Sequence, residues 1–127
     1  MARVKFTPDR AGIAAVGRSE GVWRNLEGRG DRIIGGVRAV GPEKTGEYKQ
    51  KLGRDRVAGR TATVRVTARA RHSAVLEVGS RPHIIRPRNK KALAWPGAEH
   101  PWAKVHHPGT QALHLLRDAA IRYGGDR

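Results

Sequence analysis

The chain has 127 residues, a formal charge of +15 and no cysteine. That length suits one domain able to bury roughly two-thirds of its unfolded surface, and the missing thiols exclude disulfides and thiolate metal sites. With three Trp, two Tyr and one Phe, its core is expected to be mostly Val, Ile, Leu and Ala. No apolar run approaches the roughly 20 residues of a membrane span, and MARVKFTPDR lacks the apolar stretch of a secretory signal. A soluble protein made in a cytoplasm, with no membrane partner, is the expectation. The charge favours polyanionic partners, nucleic acid first; it equally suits a basic chain neutralised by acidic neighbours in an assembly.

In chain order, Val4-Lys5-Phe6 reads as a short strand or arm. Thr7-Pro8-Asp9 reads as a helix start, with Thr7 as the cap, Pro8 in the first helical position and an acid in the first turn. Ile13, Val16, Trp23 and Leu26 recur at helical spacing. Gly28-Arg29-Gly30 is expected to break or kink that helix, and Asp31 to cap a second one whose buried stripe is Ile33, Ile34, Val37 and Val40. Gly41-Pro42 should end it. From Gly46 to Val57 the chain is polar and suited to an extended path anchored by Tyr48 and Leu52; Ala58-Gly59-Arg60 is a turn. Thr61 to Ala68 then alternates, with Ala62, Val64, Val66 and Ala68 on one face and Arg65 on the other, the pattern of a strand with one wet side. Ser73–Val78 fits either a helical turn or a strand. Near the end, Gln111–Ile121 has helical spacing and Gly124-Gly125 stops it.

Between Ala74 and Thr110 lie five of the seven prolines, Pro82, Pro87, Pro96, Pro101 and Pro108, which no single helix can hold. The apolar runs Ile84-Ile85 and Ala92-Leu93-Ala94-Trp95 suit short strands, and Arg88-Asn89-Lys90 suits the turn between them. The expected element is a β-hairpin with a basic tip: Arg81, Arg86, Arg88, Lys90 and Lys91 are all cationic, with no acid from Val78 to Ala98. Trp95 and Trp102 flank Pro96 and Pro101 and are expected at a subunit interface, since an indole offers a large area and one donor; core packing and base stacking are the other readings.

Catalytic chemistry finds little support. Six histidines include His100, His106 and His107, but there is no HExxH motif and no cysteine partner, so neither metal nor other cofactor is expected. Ser73 follows His72 without a nucleophile elbow. Glu77 has no other acid within twenty residues on either side, against the several carboxylates that metal-dependent phosphoryl chemistry gathers. The glycine-rich segments lack a phosphate-loop lysine pattern. A non-enzymatic role is expected.

Taken together, Leu76-Glu77-Val78-Gly79-Ser80, Arg81-Pro82-His83-Ile84-Ile85-Arg86-Pro87, Asn89-Lys90-Lys91-Ala92-Leu93 and His107-Pro108-Gly109-Thr110 resemble the small head–tail joining (neck, or tail-completion) proteins of long-tailed bacteriophages. Upstream, Gly41-Pro42-Glu43-Lys44-Thr45-Gly46 is similar to a segment that follows a long helix in that family, and the likeness spans roughly residues 30 to 123. The resemblance implies a virion protein forming a homo-oligomeric, sixfold ring between head and tail. Its partners would be neighbouring neck and tail-tube proteins, with double-stranded DNA in the channel. The basic residues would face that DNA or a neighbouring ring. The expected fold is α+β, a single domain over 1–127. It has N-terminal helices (an arm or helix over 1–30), a small antiparallel sheet, a long basic hairpin and a C-terminal helix. The alternative is a stand-alone, sequence-independent nucleic-acid-binding protein, for which no helix-turn-helix, zinc finger or RNA-recognition motif speaks.

Overall fold

The computed structural model describes residues 3–125. A first helix, α1 (Arg10–Val16), follows an extended arm in which Val4 and Phe6 are exposed and no strand forms. Its cap is Asp9 rather than Thr7: the Asp9 carboxylate accepts from the Ala11 N–H at 3.0 Å, an acceptor reach that suits N2 of a helix starting at Arg10. The helix ends at Gly17, and after a short turn α2 (Glu20–Val40) runs unbroken for 21 residues. The break therefore lies at Gly17–Ser19, and Gly28 and Gly30, expected to interrupt the helix, sit inside it.

Gly30 stays helical because of what packs on it. Helix α2 lies against an antiparallel pair, β1 (Leu52–Val57) and β2 (Thr63–Ala68), joined through the expected turn at 58–60. A Cβ on Gly30 would stand 3.2 Å from the Arg54 Cδ, 3.4 Å from Val64 and 3.6 Å from Val66. A glycine costs about 1 kcal/mol of helix propensity, and here it lets the sheet approach closely. Gly36 does the same for the C-terminal helix α5 (Leu115–Tyr123), where a Cβ would fall 2.3 Å from the Tyr123 ring. Arg29 Nη1 donates to the Gly124 carbonyl at 3.4 Å, closing the C-terminal end of α5.

The core is small. Ile34 and Val37 of α2 are buried, as are Leu115 and Ala119 of α5, together with Leu52, Ala70 and Tyr48, the last on the single-turn helix α3 (Glu47–Gln50). Tyr48 and Leu52 are thus the expected anchors of their segment, although Glu47–Gln50 is a helical turn and not the expected extended path. Val40 leaves the expected stripe, being 68% exposed at the end of α2, and Ile13 and Val16 on α1 are exposed too.

An ionic lattice supplements this core. In the β1–β2 register Arg54 opposes Val66 and Arg56 opposes Val64, so both arginines share the face turned toward α2. There Glu20, Glu27 and Asp31, seven and four residues apart, line one side of the helix. Arg54 holds Asp31 through two bonds of 2.6 and 3.2 Å and reaches Glu27 at 2.9 Å. Arg56 holds Glu27 at 2.9 and 3.0 Å and Glu20 at 2.9 and 3.3 Å, its guanidinium 5.1 Å from the Trp23 ring centre. Asp31 is therefore a mid-helix ion-pair partner, not a cap. Hydrogen bonding to Arg56 holds the carboxyls of Glu20 and Glu27 below the ordinary Glu range, and bonding to Asp31 raises Arg54.

The chain divides into two compact units, one formed by the residues up to Ala70 with those from Leu115 onward, the other by Arg71–His114. The second contains a short helix, α4 (Ser73–Val78), and an antiparallel pair, β3 (His83–Ile85) with β4 (Val105–His107). The fold is α+β, with N-terminal helices, small antiparallel sheets and a C-terminal helix.

Two outcomes test this account. Replacing Gly36 with alanine should lower stability by about 1–3 kcal/mol through overpacking against Tyr123. The neighbouring Gly35→Ala, whose Cβ meets nothing within 4 Å, should raise it by roughly 0.4–1 kcal/mol; urea denaturation distinguishes them. Because the Glu20 and Glu27 carboxyls are depressed on folding, their contribution is complete above the unfolded Glu value of about 4.3 and is lost as pH falls through the folded values. The urea midpoint should drop on acidification below about pH 4, and less steeply in Glu27→Gln. Parallel pH curves for the two proteins would show that the lattice carries no linkage.

Candidate functional site: a basic, bowed hairpin

Residues 80–110 form one irregular antiparallel hairpin held by backbone pairing at three levels. At its base Ser80 and Thr110 exchange N–H···O bonds of 2.9 and 3.1 Å, and the Thr110 N–H also lies 3.0 Å from the Ser80 hydroxyl. Above it His83 pairs with His107, Ile84 with His106 and Ile85 with Val105. Farther out Leu93 and Trp102 exchange bonds of 2.7 and 2.8 Å. The end is a turn over Trp95-Pro96-Gly97-Ala98, closed by the Ala98 N–H on the Trp95 carbonyl at 3.0 Å. Proline second and a glycine at φ +88° third is the type II pattern.

This corrects the expected register. Ile84-Ile85 pairs with Val105-His106, not with Ala92–Trp95, and the tip is at Trp95–Ala98, not at Arg88-Asn89-Lys90. The cause is local: Pro87 has no N–H to continue the ladder, and Ala92–Trp95 keeps one pairing position, Leu93, before Pro96. Between the pairs Ile85–Val105 and Leu93–Trp102, the seven residues 86–92 face only two, Ala103 and Lys104. The longer arm must bow outward.

Two glycines fix the base. Gly79 has φ +73°, and a Cβ there would lie 2.5 Å from the Thr110 carbonyl oxygen. Gly109 has φ +92° and would put a Cβ 2.3 Å from the Ser80 carbonyl oxygen. Above them the His83 and His107 rings stack at 5.0 Å. The His83 Nδ1 lies 2.9 Å from the Arg81 carbonyl, which only accepts, so that nitrogen donates. The His107 Nδ1 instead accepts from the Gly109 N–H at 3.0 Å. A shallow cleft of about 340 Å³ opens here between Pro82, His83, Ile84, His106, His107 and Pro108. Among the described residues no three His, Asp or Glu side chains are grouped to hold a metal ion.

Each site residue read from the sequence now has a place. Arg86, Arg88, Lys90 and Lys91 lie on the bow, whereas Arg81 lies near the base, between the Ser80 pairing and β3. All five are exposed, and among the described residues none has a carboxylate within ion-pairing distance. Trp95 and Trp102 sit at the outer end, 49% and 42% exposed, with the His100 ring 4.2 Å from that of Trp102. No apolar side chain described within 71–114 is buried, while Val75, Val78, Ile84, Ile85, Trp95, Trp102 and Leu113 are exposed.

Known proteins offer no guide to this arrangement. No protein-family model, curated protein or solved structure matches the chain. The lattice on α2 was missed in the sequence, although acids at i, i+7 and i+11 on a helix, with arginines at alternate positions of a strand, carry its signature.

The two base glycines predict their own test. Gly109→Ala should introduce roughly 1–3 kcal/mol of backbone strain and open the Ser80–Thr110 pairing. The readout is faster amide hydrogen exchange at Thr110 and Ser80; unchanged protection there would show that the base does not depend on Gly109.

Proposed function

We propose that this chain is a structural virion protein of a tailed-bacteriophage neck. Copies of it assemble into a homo-oligomeric, sixfold ring that joins head to tail against neighbouring neck and tail-tube proteins. The observation that carries this reading is the uncovered apolar surface of residues 71–114: seven large hydrophobic side chains exposed, and no buried one to form a dry core. Apolar groups that their own unit leaves uncovered are available to a partner, and where they are contiguous they mark an interaction surface. Trp95 and Trp102 at the outer end are the natural anchors, being large and rigid.

Support also comes from where the family-like segments fall. Gly79-Ser80, His83–Ile85, Leu93 and His107–Thr110 are the joints of the hairpin: its pairing positions and its positive-φ glycines. Part of the resemblance therefore rests on residues with identifiable structural work, while Arg86-Pro87 and Asn89–Ala92 lie on the unpaired bow. The role is one of geometry, with no catalysis and no cofactor. The second reading, a stand-alone nucleic-acid-binding protein, draws on the unpaired cations of the bow. Solution mass separates the two, since the neck protein should reach a ring of about six copies while the stand-alone binder stays monomeric and shifts DNA.

Trp102→Ala should shift the mass distribution toward monomer while leaving Tm nearly unchanged, because alanine retains the backbone pairing with Leu93. Wild-type assembly with a markedly lower Tm would instead make Trp102 a fold residue.

A further inference from the structure

We propose that the bow from Arg86 to Lys91 is a contact site for the phosphate backbone of duplex DNA, made without regard to base sequence. Four of its six residues are cations, all four exposed. In the first unit Arg54, Arg56, Arg69, Lys49 and Lys51 each have a carboxylate partner, though Arg10 and Lys44 have none among the described residues. The bow's cations have none among the described residues, and the sequence around them is free of acids from Val78 to Ala98. Such a cluster repels itself, less so where water and salt screen it, and a polyanion brought against it relieves the repulsion.

The form of the bow selects among anions. The bow lies outside backbone pairing on a seven-against-two mismatch and carries its cations exposed along one stretch of chain. Phosphate contacts position a protein on a duplex without reading its sequence, and two of the four cations are arginines, able to bind phosphate oxygens bidentately. Single-stranded nucleic acid is disfavoured, because its binders interleave cations with aromatic platforms and 86–91 contains no aromatic residue. No helix is present in the segment to enter the major groove, and Asn89 is its only amide side chain; arginine and lysine also read guanine edges, and the shuffled duplexes below separate that from backbone contact.

The proposal rests on the neck reading for the source of the duplex, though not for the contact itself. The test measures binding of the full chain to a short fluorescent duplex of random sequence across a salt series. Arg86→Ala/Arg88→Ala/Lys90→Ala/Lys91→Ala is compared with an equal-charge control, Arg3→Ala/Lys5→Ala/Arg10→Ala/Lys44→Ala. Removing phosphate contacts lowers the slope of log affinity against log salt by about 0.9 each, so the bow variant should lose up to about 3.6. The control should lose less, and shuffled duplexes should bind alike. Lys90→Ala/Lys91→Ala, a milder change, should lose up to about 1.8 and serves if the quadruple variant folds poorly. Equal losses in bow variant and control, or none in either, overturn the proposal. So does a bow variant that binds DNA normally but fails to join heads to tails, which would assign the segment to an acidic protein neighbour. A chain that shows the expected slopes yet stays monomeric keeps the contact and removes the ring; rings whose DNA binding ignores the bow keep the ring and overturn the contact.

Discussion

Two arginines stand where a helix–sheet contact ordinarily places aliphatic side chains. Arg54 and Arg56 share the sheet face that carries Val64 and Val66, and their guanidiniums meet Glu20, Glu27 and Asp31 along α2. The arrangement serves a chain with few large apolar groups. Arginine stems cover hydrocarbon surface, here against Gly30, while their heads stay at the wet rim. A single exposed ion pair contributes little. The lattice differs because Glu27 is shared by both arginines and the contacts of Arg56 are forked, so geometry at one pair constrains the next. The closeness that glycine allows at position 30 is what brings these charges within reach.

Residues 71–114 are organised on another principle. Their order comes from backbone hydrogen bonds at Ser80–Thr110, β3–β4 and Leu93–Trp102, and from α4 receiving the Leu113 and His114 N–H groups on the Leu76 and Glu77 carbonyls. Hydrogen bonds of this kind fix direction and register but contribute modestly to stability when water can compete. Side chains freed from core packing are available for contact with something else, which is why the functional reading centres on this unit. Its outer end carries exposed tryptophans and its bow exposed cations, two chemically different surfaces.

Much of the architecture was legible before any coordinates. Period-two alternation marked β2, Tyr48 and Leu52 stood out as anchors, and Gly41-Pro42 and Gly124 ended their helices where expected. The failures share a cause. Gly28 and Gly30 look like helix breakers unless the element packed on Gly30 is known, and that element lies more than twenty residues away in β1 and β2. Strand pairing is likewise long-range: Ile84-Ile85 announces a strand but not its partner, and the nearest apolar run was the wrong one. The site's residues were readable as types, a cationic cluster and two tryptophans. Their placement on a bow and at a turn was not, because both follow from that pairing.

The mismatch in the hairpin has a bearing on how such a chain can vary. Residues 86–92 are bracketed by two pairings that neither depend on the number of residues between them nor share hydrogen bonds with them. Loop-closure entropy changes only slowly with length. The segment can therefore lengthen, shorten or exchange residues while the strands on either side keep their register. Selection acting on that one stretch could adjust the girth and charge of whatever surface it lines, with the rest of the fold held constant.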